Sequence, residues 1–365
     1  MAGMSDVALV KRIFVSYYEG ADLAIPGIEK REFGFGNMKK IDARHLNFAS
    51  AGEFRRYLTS NTPLFVSHST SYYEFPGATP IQKKVWRGAD LVFDLDIHAE
   101  GKFGAYAKLA EVKGDLVRLV KDFIKGDFGI KDEHIAMVFS GNRGYHVHVR
   151  DPAYFPLGGE ERRELVDYVM GQGLDYLQFF SFDDKKRLLG PRPDEGGYRG
   201  RFARAAIETL RTKPLALSKK FTNEKDREFF ISGINEGNWS KTTLNLKDMQ
   251  ERLAVVAKDL PISSVDTDVG VTQDLSKLIR VPNSIHGETG LVARVIRDVE
   301  RFDPWRDASL KEGPPLSVRF TEDVPRLDHV FGGLGPYKKD SGIELPQEQA
   351  IFFVLKGSAV FDAEK

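Results

Sequence analysis

The chain has 365 residues, of which 41% are hydrophobic and 29% charged, and it contains no cysteine. That composition is globular rather than disordered, and it excludes disulfides, thiolate catalysis and cysteine-ligated zinc or iron–sulfur sites. Lysine plus arginine and aspartate plus glutamate are equal at 53 each, so net charge marks no nucleic-acid surface and any such surface must be local.

The opening residues, MAGMSDVALVKRIF, lack the apolar core and cleavage site of a signal peptide, and no stretch is apolar enough to span a membrane. A soluble, cytoplasmic protein without a membrane segment is expected. Residues 5–18 predict an amphipathic helix with Leu9, Val10, Ile13, Phe14 and Tyr17 on one face. Phe33 and Phe35 predict a short strand, EFRRYLTSN (53–61) a helix, and PLFVSHSTSYY a strand. Pro76 and Pro80 then break the chain. The stretch ADLVFDLDIHAE (89–100) alternates as a strand. Residues 105–125 predict a helix, and 134–140 and 145–150 predict two strands joined by GNRG. The period turns helical from Glu160 to about Phe180. Residues 185–204 carry seven Lys or Arg against two acids. A helix is expected at 246–260, stopped by Pro261; SSVDTDV reads as strand-like, TQDLSKLIR as a short helix ended before Pro282, and LVARVIRDV as a strand. The apolar tail IFFVLKGSAVF leaves its element type open. Strands, helices and strands again suggest an α/β (α+β) mixed-sheet core, residues 1–158 and 262–365, interrupted by a helical insertion at 159–261.

Three stretches carry chemistry. On the alternating strand, Asp94 and Asp96 emerge side by side, and two carboxylates so placed repel unless a cation lies between them. A hard divalent ion such as Mg²⁺ suits them; hydration at a strand end is the alternative. In SGNRGYHVHV, Gly141 and Gly144 permit a tight turn whose N–H groups can converge on an anion. Ser140 adds a hydroxyl, Arg143 a guanidinium and His146 a further donor, without the spacing of a Walker loop. His146 and His148 share a face, so one serves the site while the other packs or meets solvent. In VDTDVGVTQDLSKLIRVPNSIHGETG, Asp266 and Asp268 repeat the paired carboxylates, and Arg280, Ser284 and His286 follow. Carboxylates for metal, with basic and hydroxyl groups for a triphosphate, are what nucleotidyl transfer requires.

In order, REF, RH, GADLVFDLD, VFSGNRGYHVHV, VD-x-x-V and LIRVPNSIHGETGL resemble the small catalytic subunit of archaeal–eukaryotic-type DNA primase, over about residues 31–300. The resemblance implies a metal triad of Asp94, Asp96 and Asp266 holding Mg²⁺ or Mn²⁺. Asp268 and Asp274 lie close by and keep the third ligand open. It implies a triphosphate site of Ser140, Arg143, His146, Arg280 and His286. It further implies NTP substrates, RNA primers started on a single-stranded DNA template, and a heterodimer with a large regulatory subunit. Many relatives carry a cysteine-containing zinc module after the Asp-x-Asp strand; IHAEGKFGAYAKLAE has no cysteine, so no structural zinc is expected. The polymerase domains of bacterial end-joining ligases share a similar turn, which keeps a repair or extension polymerase as the alternative, and LIRVPNSIHG favours primase over it. A catalytically silent nucleic-acid-binding subunit is the other alternative, and it leaves the paired acids without a purpose.

Overall fold

The computed structural model describes residues 4–23, 25–37, 39–97, 99–242, 265–310 and 313–362. Two compact units divide the chain: a larger one from residues 1–117, 131–166 and 267–365, and a smaller one from 118–130 and 167–266. No helix among the described residues is long and apolar enough to cross a membrane.

Strands β1 (Phe33–Gly36), β2 (Ala43–Leu46) and β3 (Phe65–Ser69) come first, followed by a short pair, β4 (Ser71–Tyr73) and β5 (Trp86–Ala89). Next are β6 (Leu91–Asp96), β7 (Ile135–Phe139) and β8 (Gly144–Val149). The smaller unit holds β9 (Ser181–Phe182) and β10 (Leu188–Leu189). The chain returns through β11 (Leu278–Arg280) and β12 (Val295–Ile296), then adds β13 (Leu316–Phe320), β14 (Gly342–Leu345) and β15 (Ala359–Phe361). Within the larger unit, two antiparallel four-stranded sheets form in the orders β11-β3-β1-β2 and β12-β7-β8-β6.

Period two explains β6. Leu91, Phe93 and Leu95 are buried on one face, while Val92 and Asp94 face the other and Val92 packs with Val271 and Ile279. The helix Ala51–Asn61 is held at its start by Ser50, whose hydroxyl accepts from the Glu53 amide, and by the Glu53 carboxylate, which accepts from the Ala49 amide. Phe54 and Leu58, one turn apart, are its buried anchors in an aromatic core with Phe33, Phe35 and Phe48. The REF motif is structural in part: Arg31 is fully buried, pairs with Asp90 at 2.7 Å and bonds the Ser69 carbonyl. Its neighbour Glu32, equally buried, gathers Arg44, His45 and Lys84 within 3.0–3.5 Å.

Several elements differ from expectation. TQDLSKLIR is not one helix. A short helix ends at Gln273, because the Asp274 carboxylate captures the Ser276 amide and hydroxyl at 2.8 and 2.7 Å in a local turn. LIR then runs as β11, with Ile279 inward, because β3 offers it a backbone partner. LVARVIRDV is strand only at Val295–Ile296. The helix from Gly159 stops at Met170, where Gly171 and Gly173 take positive φ, and Tyr176–Phe179 is a separate 3₁₀ turn. The tail resolves into a helix, Gln347–Leu355, followed by β15. The helix expected at 246–260 lies outside the described residues.

The smaller unit has its own core around Phe202, Phe221, Phe230 and Trp239, whose indole donates to the Pro191 carbonyl at 3.0 Å. Arg201 is buried against Asp127 at 2.7 Å and lies over the rings of Phe123 and Tyr198.

Candidate active site

The site is built where β6 and β8 pair. Register sets Asp94 opposite His146 and Asp96 opposite Gly144, so the acids of one strand meet the glycine-rich turn that opens the other. His146 Nε2 stands 3.5 Å from Asp94 Oδ1, and Arg143 reaches Asp96 at 3.4 Å. Only glycine fits at position 144, because a β-carbon there would collide with the Leu95 carbonyl; Gly141 takes φ 81° and leaves room for His286. The Ser140 hydroxyl faces the turn itself, accepting from the Gly144 amide at 3.2 Å and the Asn142 amide at 3.4 Å. Arg280 stands at the end of β11 over the Phe65 ring, and that ring meets His286 edge-on at 5.9 Å. His286 is fixed in turn by the Glu288 amide, which donates to its Nδ1 at 3.1 Å. His146 and His148 are both buried, and of the two it is His146 that stands beside Asp94.

Residues 267 and 268 meet β6 at Asp94. The Asp268 amide donates to the Asp94 carbonyl at 2.9 Å, and the Thr267 hydroxyl bonds the same oxygen at 2.9 Å. The Asp268 carboxylate currently caps the helix Val269–Gln273 through the Gly270 amide. Asp266 is exposed and is the last residue of the smaller unit.

Five side chains that the sequence did not single out complete the turn. Asn142 accepts from the Tyr106 hydroxyl at 2.8 Å and from the Lys356 ammonium at 3.4 Å, and it donates to Glu288 at 3.2 Å. The Thr289 hydroxyl bonds the Gly141 carbonyl at 2.5 Å. Glu288 and Thr289 sit inside the quoted HGETG stretch, so proximity to His286 was a usable signal. Lys356 had none, because it follows an apolar run whose element type the sequence left open.

Charge is poorly compensated here. Burial, then the negative charges of Asp96 and Asp268, push the Asp94 carboxyl up to about 7. Burial, then Arg280, pulls His146 down to about 3, so its imidazole is neutral at physiological pH. Burial lowers Arg280 to about 10, and its Nη1 is buried without a hydrogen-bond partner. His286 is held well below the usual histidine range, again first by burial and then by Arg280. Lys356 is drawn down to about 8 by burial. A crowded set of carboxyls facing unpaired cations is the electrostatic pattern of a site that waits for both a cation and an anion.

The profile of the family described as DNA primase small subunit matches residues 93–298, which takes in the acid pair, the turn, Arg280 and His286. The chain belongs to the DNA primase small subunit family. It is similar to the DNA primase small subunit PriS of Methanococcoides burtonii, at 32% identity over 96% of this chain and 97% of that one. Similarity to the PriS of Archaeoglobus fulgidus is 31% over 97% and 98%, and to that of Natronomonas pharaonis 36% over 96% and 97%. The chain is thus a primase-type catalytic subunit, a nucleotidyltransferase, and the mixed α/β core expected of it is present.

Whether this primase subunit suits a metal ion is decided by its donors. Among the described residues, no three His, Asp or Glu side chains are gathered tightly enough to form a ready ligand set. The oxygen donors of Asp94 and Asp96, with Asp268 close enough to raise the Asp94 pKa, nevertheless fit a hard divalent ion that keeps places for phosphate oxygens and water.

Proposed function

We propose that the chain starts RNA primers on single-stranded DNA from NTPs, by two-ion nucleotidyl transfer, as the partner of a large regulatory subunit. The observation that carries this reading is the Asp94–His146 and Asp96–Gly144 register, which sets two acids against the glycine-rich turn that carries Arg143. Asp94 and Asp96 hold Mg²⁺ or Mn²⁺ together with a third acid, Asp266 or Asp268. What favours Asp268 is its amide bond to Asp94 and the repulsion it exerts on that carboxyl. Arg143 and Arg280 bind the triphosphate as cations, with Ser140 and His286 shaping the turn and the wall beside it. His146, neutral, contributes an N–H rather than a charge. When bound, the ions activate the attacking 3′-hydroxyl and stabilise the departing pyrophosphate. The test is incubation with single-stranded DNA, labelled NTPs and Mg²⁺ or Mn²⁺ without a primer. Products of two or more nucleotides support a primase, and synthesis only on added ends indicates an extension polymerase.

The raised Asp94 pKa gives this site a pH dependence. Below about 7 a cation must displace a proton from Asp94, so the Mg²⁺ needed for half-maximal synthesis should rise up to about tenfold per pH unit as pH falls, and level off above. A requirement that stayed flat across this range would remove Asp94 from the ligand set.

No structural zinc is proposed. The cysteine-free segment after β6 is held by aromatic packing: Tyr106 is buried edge-on against Trp305 and Phe352, and Phe103 lies against Phe352 and Phe353. Without cysteine, the nearby residues of zinc-ligand type are His98, Glu100 and Glu111, and His98 lies outside the described residues.

Template contact is proposed for part of the basic stretch. Arg187, Arg192, Arg199 and Arg201 already have acid partners, Asp183, Asp194, Glu195 and Asp127, at 2.7, 3.2, 2.6 and 2.7 Å. Lys185, Lys186 and Arg204 have no acid partner among the described residues, although Arg204 donates one N–H to the Pro193 carbonyl, and these three are left for phosphate. Replacing these three with alanine should reduce the slope of log affinity for single-stranded DNA against log salt by about 2. An unchanged slope with weaker association of the large subunit would assign the stretch to that partner instead.

A further inference from the structure

A second pocket opens on the sheet that carries the aspartates. Direct cross-strand pairs put Asp94, His146, Val138 and Val295 in one row on one face of β6, β8, β7 and β12. Val138 and Val295 line a cavity of about 640 Å³, within the larger unit, in which none of the candidate catalytic side chains takes part. Two strand spacings place its near wall roughly 10 Å from Asp94.

The lining of this cavity is unusual in two respects. Five arginines face three aspartates around it, an excess of positive charge in a chain whose net charge is zero. Arg306 and Arg301 are paired with Asp307 and Asp298 at 2.8 and 3.6 Å, whereas Arg297 has no acid within ion-pair distance among the described residues. Arg150 keeps a buried Nε without a hydrogen-bond acceptor, 3.5 Å from Asp90. The second feature is His68. It is fully buried, lines the cavity, and its Nδ1 lies 2.8 Å from the Ser69 carbonyl oxygen. A carbonyl only accepts, so Nδ1 carries the proton and Nε2 is a bare acceptor, and that nitrogen has no partner. Burial, then Arg31, keeps the ring neutral. A buried acceptor left unpaired is costly unless a donor arrives.

We propose that this cavity binds a nucleoside phosphate outside the catalytic centre, with the phosphate at Arg150, Arg294 and Arg297 and a sugar hydroxyl donating to His68 Nε2. Apolar walls from Val138 and Val295 take the less polar part of the ligand, and the volume lies within the range of small-molecule sites. The same chemistry is presented by a free nucleotide and by the terminal nucleotide of a strand. Neither source depends on synthesis, so the inference stands apart from the catalytic reading.

The test is equilibrium binding of AMP to the full chain in EDTA, where the proposed ion-dependent triphosphate site is switched off. Saturable binding with Kd at or below about 1 mM is expected. Val295→Trp, at a position 36% exposed, should fill the cavity, and Arg297→Glu should reverse a charge at its mouth; each should weaken AMP at least tenfold. Arg280→Ala should leave AMP binding unchanged. Displacement of AMP by a 5′-phosphorylated single-stranded oligonucleotide would support the site with a strand end as its ligand, and failure to displace would support it with free nucleotide. The proposal is overturned if AMP does not saturate in this range, or if Arg280→Ala abolishes binding while the two pocket variants retain it.

Discussion

Asp94→Asn should abolish primer synthesis and, in the metal-free protein, raise the melting temperature. Asparagine keeps the shape and loses the negative charge, which an ion requires and the empty site resists. The Asp94 carboxyl is raised from 3.8 to about 7 in the folded chain, so folding takes up a proton there. As pH rises from about 4 to about 7, that raised carboxyl costs stability, and above 7 the penalty stays constant. A shift of this size has an upper limit of about 4 kcal/mol, and on the order of 1–2 kcal/mol is expected after relaxation and partial solvation. The gain from Asp94→Asn should therefore be largest near pH 8 and vanish near pH 4. Thermal melts in EDTA at both ends of this window check it. An active variant would remove Asp94 from catalysis, and a variant less stable at high pH would show that its charge is compensated by something else.

Arg280→Ala should lower turnover, or raise the NTP requirement, by about 30- to 1000-fold, corresponding to about 2–4 kcal/mol for a charge-assisted contact strengthened in the transition state. Template affinity should change little. The reasoning rests on solvation: a guanidinium pulled from water, with an orphaned Nη1 and no carboxylate in ion-pair range among the described residues, is poised for an anion that arrives from outside. His146→Ala should act in the same direction. If His146 were only a packed strand residue, its loss would show in the melting temperature and leave nucleotide kinetics untouched. Steady-state kinetics against NTP, beside salt-controlled DNA binding, separates these outcomes. Loss of template affinity with normal nucleotide kinetics would move Arg280 off the triphosphate.

The acid pair and the glycine turn were legible because each is a local pattern: period two along β6, and glycines at 141 and 144, the first at positive φ and the second with no room for a β-carbon against Leu95. Their meeting was not legible from pattern alone, because register between distant strands is settled by tertiary pairing. The same cause explains LIR. Its short apolar run fits helix or strand, and the edge of β3 decided for strand. Asp266 and Asp268 look alike in sequence; a backbone bond to Asp94 distinguishes Asp268. REF was read as a motif, and the burial of Arg31 against Asp90 could not be read from either residue by itself. Lys356 was missed because its role comes from the end of a helix packing on Tyr106, far away in sequence.

Lys356 and Asn142 also bear on the order in which the chain is made. The larger unit is assembled from three stretches, with the smaller unit's main segment, 167–266, threaded between the second and the third. The Asp94 strand and the SGNRG turn leave the ribosome well before their covers do: Thr267 and Asp268, then β11 on the neighbouring sheet, then Lys356. The Phe361 amide even reaches back to Asp6 near the chain's start, at 3.2 Å. A nascent chain halted after the smaller unit would hold Asp94, Asp96 and the turn, yet lack Arg280, His286 and the lysine that bonds Asn142 in the turn. The last groups to reach the turn are thus made only when translation is nearly done, and the candidate site closes from both ends of the chain.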